Sequence, residues 1–121
     1  DAMERLDQVR GCEGRAAAAY FEAFPALLLN PEFEFRDRNR RPPRDPVNVL
    51  LSLGYTLLAN TVETAVQIVG LDPYLGALHE VAYGRPSLVC DLMEEFRAVI
   101  VDPLVVGCIN KRVFNREDFE E

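Results

Sequence analysis

The stretch from Pro46 to Val69, PVNVLLSLGYTLLANTVETAVQIV, constrains the fold most. It has no proline after its first position and no charge before Glu63. Its polar residues Asn48, Ser52, Thr56, Asn60, Glu63 and Gln67 recur in steps of four and three, which draws one narrow line along an α-helix. Such a helix is long enough to cross a bilayer. Glu63, Gln67 and the two asparagines oppose a membrane span, so a central helix buried by its neighbours is expected instead. Asp45 and Pro46 supply an N-cap and a first helical residue, and Gly70 supplies a stop.

The same Asp-Pro punctuation recurs in LDPYL and VDPLV, and Pro86 is a further candidate start. Helices are expected near 2–24, 46–69, 73–79, 86–101 and 103–110, with a short one near the C-terminus. Only FEFR at 33–36 hints at a period of two. The expected architecture is all-α, one multi-helix domain over residues 1–121 around the central helix. With 121 residues and 49% apolar content, the chain can build a core. It begins at Asp1 and shows no signal-peptide pattern, so a piece of a longer protein is expected. The three cysteines, Cys12, Cys90 and Cys108, have no C-x-x-C spacing and are expected to be buried thiols in a reducing compartment.

Net charge is −7, which argues against a general nucleic-acid binder, yet the charge is unevenly placed. RDRNRRPPR at 36–44 carries Arg36, Arg38, Arg40, Arg41 and Arg44 against Asp37, a net +4, and leaves −11 on the remainder. So much proline and charge predicts an irregular segment. It is either a solvated loop pairing with the acidic surface or an arm whose guanidinium forks bind phosphate.

Three places can carry chemistry. In SLVCDLMEEFR, counting 100° per residue puts Leu88, Leu92, Phe96 and Val99 on one face and gathers Asp91, Glu94, Glu95 and Asp102 on the other. These acids form a solvated face, or Asp91 and Glu94, spaced i and i+3, point into a shared cleft. Glu13 falls in the middle of the stripe Leu6, Val9, Ala16, Ala17, Tyr20 and Phe24, between Gly11 and Gly14, which would let another backbone approach. A buried carboxylate there needs a cation, a hydrogen-bond network or a wet cleft, unless an arginine pairs with it or a kink turns it outward. His79 is the sole histidine, either a structural imidazole or a ligand. One imidazole with several carboxylates suits Mn²⁺ or Mg²⁺ better than Zn²⁺.

EGRAAAAYF, RNRRPPRDPVNVLLSLGYTLL, GLDPYLGALHEVAYGRPSLVCDLMEEFR and NREDF together resemble the CRISPR-associated Cas-one family, over about Glu13 to Phe119. The resemblance is to the family's helical C-terminal domain, and its N-terminal β domain is absent from this sequence. It implies a metal-dependent DNA endonuclease and integrase of spacer acquisition, in the cytoplasm of a prokaryote. The implied metal ligands are Glu13, His79 and Glu94, with Asp91 a second catalytic acid, Mn²⁺ or Mg²⁺ the cofactor, and Glu95 and Asp102 plain surface. DNA contacts are expected at the five arginines of the arm. The implied partners are DNA (spacer precursor and CRISPR repeat), a second copy in a homodimer and the Cas-two protein, with no membrane. Whether a Cas-four nuclease joins them is left open. The alternative is a catalytically silent helical scaffold domain of the same adaptation complex.

Overall fold

A computed structural model describes residues 2–119. Four α-helices dominate: α1 (Ala2–Ala23), α2 (Pro46–Val69), α3 (Ser87–Phe96) and α4 (Asp102–Asn110). Short 3₁₀ turns follow α1 at Phe24–Leu27 and close the chain at Arg116–Phe119, and a π-helical turn, Arg97–Val101, joins α3 to α4. No strand occurs among the described residues; FEFR is irregular, and Ala82 and Arg85 make one isolated bridge. The chain is all-α, as expected.

The caps explain the boundaries. The Asn48 N–H donates to Asp45 Oδ1 at 2.9 Å, so Asp45 caps α2. At the other end Gly70 sits at φ +83°, and the Gly70 and Leu71 N–H groups return to the carbonyls of Gln67 and Val66 at 3.0 Å each. The second Asp-Pro signal fails to start a helix at 73–79. Asp72 Oδ1 accepts the Tyr74 N–H at 2.9 Å, which closes a local turn in place of a cap.

The chain forms two compact units. One holds the residues up to Val49 and those from Val106 onward, and the other is Leu50–Val105. In the first, Phe24 and Phe35 pack with ring centroids 5.1 Å apart, and Phe33 meets Phe119 edge-on at 5.9 Å. Asn110 fastens this unit by accepting the Leu29 N–H at 2.8 Å and donating to the Leu27 carbonyl at 2.9 Å. In the second unit Leu50, Leu51, Val66, Val89, Met93, Val101 and Val105 are buried. Gly54 lies against Val101; a Cβ there would stand 2.5 Å from Val101 Cγ1, so α2 approaches the π turn as closely as glycine permits.

Two expectations about faces are corrected. Helix α2 is not buried around its circumference: Leu53, Leu57, Ile68 and Val69 are exposed. It is the one described helix long and apolar enough to cross a membrane, by length and composition alone. In α3 the buried residues are Ser87, Val89 and Met93, whereas Leu92 and Phe96, like Val99 in the π turn, are exposed. Asp102 is likewise not surface but buried. The count of 100° per residue holds for α3 but not across the π turn, where the Asp102 N–H returns to the Arg97 carbonyl, five residues back. The thiols are also less buried than expected, with Cys12 exposed and Cys90 and Cys108 half-buried, all three free.

Candidate metal centre

The segment between α2 and α3 is built around one side chain. Asp91, in the second turn of α3, accepts the backbone N–H groups of Ala77 and Leu78 on Oδ2, at 2.6 and 2.9 Å, and that of His79 on Oδ1 at 2.9 Å. The His79 ring adds a fourth bond, Nδ1 to Oδ1 at 2.6 Å. Burial acts to raise the Asp91 pKa, but the bonds from the His79 ring and from these N–H groups outweigh it and hold the carboxyl below its usual range. An ionised carboxylate only accepts, so His79 Nδ1 carries the proton and Nε2 is the ring nitrogen left to meet a metal. A carboxylate behind an imidazole is the usual way to aim the other ring nitrogen at a metal.

Gly76 and Ser87 let this loop close. A Cβ on Gly76 would stand 2.6 Å from both the His79 carbonyl and Ser87 Cβ, so only glycine fits. Ser87 is fully buried and donates its hydroxyl to the Glu80 carbonyl at 2.7 Å. Neither residue was singled out from sequence. The signal present was the small residue at each place, and nothing local reveals that the two touch.

Of the four expected site residues, the structure brings His79 and Asp91 into direct contact. Asp91 therefore holds the loop and the imidazole, and all its lone-pair directions are engaged. Glu94, one turn further along α3, is partly exposed and pairs through Oε1 with Arg97 Nη1 at 3.1 Å. Glu13 lies in the other unit, on an exposed stretch of α1. The buried carboxylate expected there is corrected: α1 runs unbroken through Gly11 and Gly14, Val9 and Tyr20 are exposed, and nothing approaches a Cβ at Gly14. Among the described residues no group of three or more His, Cys, Asp or Glu side chains is close enough to hold an ion. An imidazole nitrogen with carboxylate oxygens is nevertheless a donor set that fits Mn²⁺ or Mg²⁺.

In the first unit the arginine arm is irregular, as expected, and it too is organised by one side chain. Asn48 Oδ1 accepts Arg38 Nη1 at 2.7 Å and the Asn39 N–H at 3.0 Å, while Nδ2 donates to the Asp37 carbonyl at 2.9 Å and to Asp45 Oδ2 at 2.6 Å. Arg38 is thus committed to the arm itself. Arg36, Arg40, Arg41 and Arg44 are exposed. A cavity of about 410 Å³ opens between α1 and the arm, lined by Ala17, Phe21, Arg36, Arg38 and Arg40 among others.

The family model described as CRISPR associated protein Cas1 matches residues 1–121. The chain belongs to the Cas1 family. It is 59% identical over 115 residues to CRISPR-associated endonuclease Cas1 3 of Thermus thermophilus, which covers 95% of this chain and 34% of that protein. The fold matches a casposase bound to integration product at TM-score 0.84 and 34% identity, over 93% of this chain and 32% of the other. It matches a chain of a partial Cas6-RT-Cas1–Cas2 complex at TM-score 0.86 and 34% identity, over 93% and 33% respectively. The chain thus spans about a third of the length of the curated relative it matches.

Proposed function

We propose that this chain carries the metal-binding catalytic segment of a DNA endonuclease and integrase of CRISPR spacer acquisition, joining new spacer DNA to the array by phosphodiester transesterification. The observation that carries the reading is the Asp91–His79 pair, with Asp91 one helical turn before Glu94 on α3. The name of the Thermus relative and the integration product held by the casposase support it.

His79 Nε2, Glu94 and Glu13 would hold Mn²⁺ or Mg²⁺. When bound, the ion supplies Lewis-acid stabilisation of the charge that develops on a phosphodiester oxygen. Asp91 keeps the imidazole in the tautomer that can donate a lone pair and fixes the loop bearing it. Arg36, Arg40, Arg41 and Arg44 would hold backbone phosphates, which positions DNA without reading its sequence. Arg38, counted among the DNA contacts from sequence, would serve by shaping the arm. DNA, a second copy of the chain and a Cas2 protein are the partners this reading takes, and the Cas1–Cas2 complex among the similar structures supports the last. The setting is the cytoplasm of a prokaryote.

The test is Mn²⁺-dependent cleavage and strand transfer in the intact protein, with His79→Ala, Glu94→Gln and Glu13→Gln. Each variant should lose Mn²⁺ binding and activity together while remaining folded. Full activity in all three would overturn the assignment.

A further inference from the structure

The second unit contains a run of contacts that ends on Glu94 and that the metal site alone does not require. Tyr55 of α2 donates its hydroxyl to Asp102 Oδ1 at 2.5 Å, and Asp102 is buried. The Arg97 guanidinium lies over the Tyr55 ring, with Cζ 5.0 Å from its centroid. Arg97 Nη1 forms an ion pair with Glu94 Oε1 at 3.1 Å. The Arg97 Nε is buried and has no hydrogen-bond acceptor among the described residues, so the ring and Glu94 are the contacts seen to hold the guanidinium. The ring reaches Arg97 because Gly54, next to Tyr55, admits Val101 of the π turn.

An ordinary i,i+3 ion pair on a helix surface is worth a few tenths of a kcal/mol, because both side chains remain mobile. Arg97 differs in being clamped. Its side chain is 23% exposed, and its guanidinium lies over an aromatic ring whose hydroxyl is itself tied to a buried carboxylate. A planar guanidinium stacks and donates at the same time, which an ammonium cannot do.

We infer that Arg97 is a positioning residue for Glu94: stacked on Tyr55, it holds one carboxylate oxygen and leaves the other aimed for a divalent cation. This rests on the metal reading above and adds two residues to it, Arg97 and Tyr55. Glu94 has three rotatable side-chain bonds, and fixing Oε1 removes freedom that ion binding would otherwise have to remove.

The experiment is Mn²⁺ titration calorimetry on the intact protein, beside melting in chelator and the Mn²⁺ dependence of DNA cleavage. Arg97→Ala should weaken Mn²⁺ binding by about 10- to 100-fold, the range for residues that orient metal ligands. Half-maximal cleavage should need correspondingly more Mn²⁺, with kcat unchanged at saturation. Arg97→Lys should not rescue affinity. Tyr55→Leu should behave as Arg97→Ala, and Tyr55→Phe, which keeps the ring, should bind Mn²⁺ as the native protein does. His79→Ala and Glu94→Gln are the controls. If they abolish binding while Arg97→Ala and Arg97→Lys keep native affinity, this inference falls and the metal site stands. If the controls bind normally, the metal reading falls and this one with it. Equal losses in Tyr55→Phe and Tyr55→Leu would overturn the role of the stack. Should Arg97→Ala not fold, Arg97→Lys and Tyr55→Leu decide.

Discussion

Two long irregular segments, 28–45 and 70–86, solve the same problem with different chemistry. Each is gathered by one side chain from the start of the helix that follows, and each of those side chains makes four hydrogen bonds. Asn48 accepts two and donates two, to and from an arginine, an aspartate and two backbone groups. Asp91 accepts four, three from consecutive backbone N–H groups and one from an imidazole. A neutral amide can fix a chain's path while adding no charge. A carboxylate does the same while collecting N–H groups from one side only, and it dictates a histidine tautomer besides. The first segment is thereby shaped, and the second is also given an electrostatic task.

Truncation should show the largest effects. Asp91→Ala strands three backbone donors and the His79 ring, so unfolding free energy should fall by about 3 kcal/mol in denaturant titration. Mn²⁺ affinity should fall with it. Asn48→Ala should cost about as much stability and leave Mn²⁺ affinity alone; an equal loss of affinity would erase the distinction between the segments.

Exchanging the two chemistries is a subtler test. Asp91→Asn turns an amide NH₂ toward donors, and Asn48→Asp removes the donor to the Asp37 carbonyl and brings a carboxylate against Asp45. Each should cost roughly 2 kcal/mol, read by chemical denaturation. A neutral outcome for Asp91→Asn would mean that charge is irrelevant to the loop.

Acid should separate the segments more gently. The Asp91 pKa is lowered on folding, so its contribution is complete above the unfolded value of about 3.9 and is lost as pH falls through the folded one. In metal-free protein the stability gap between native and Asp91→Asn should narrow below about pH 4. The gap between native and Asn48→Ala should not follow it.

The smallest effect is expected from the arm. Arg36→Ala, Arg40→Ala, Arg41→Ala and Arg44→Ala should each change stability by less than about 0.5 kcal/mol. Each should reduce the slope of log affinity for DNA against log salt by about 0.9. Arg38→Ala should instead lower stability, because its guanidinium is bonded to Asn48. Identical behaviour of all five would return Arg38 to the DNA contacts.

Much of this was legible in residue order. Asp45, Pro46 and Gly70 mark both ends of α2 correctly because caps are local. The short run after Asp72-Pro73 was misread because the same aspartate can close a turn or cap a helix, and only the distant Asp91 makes the turn worthwhile. Glu13 was placed in a stripe that α1 does not bury. His79 was visible as an imidazole near acids, but its tautomer was not, since that depends on which acid it meets. Tyr55 and Arg97 gave no signal, being 42 positions apart in the numbering.

The π turn at Arg97–Val101 sets two clocks on what reads as one continuous helix. A residue counted forward from α3 arrives early by a fraction of a turn, and Asp102, Val105 and Ile109 keep time with α4 instead. Deleting one residue inside the turn would resynchronise them. The stripe that now buries Asp102 would rotate by about 100°, the Tyr55 hydroxyl would lose its acceptor, and the helix would become more regular while its phase became wrong.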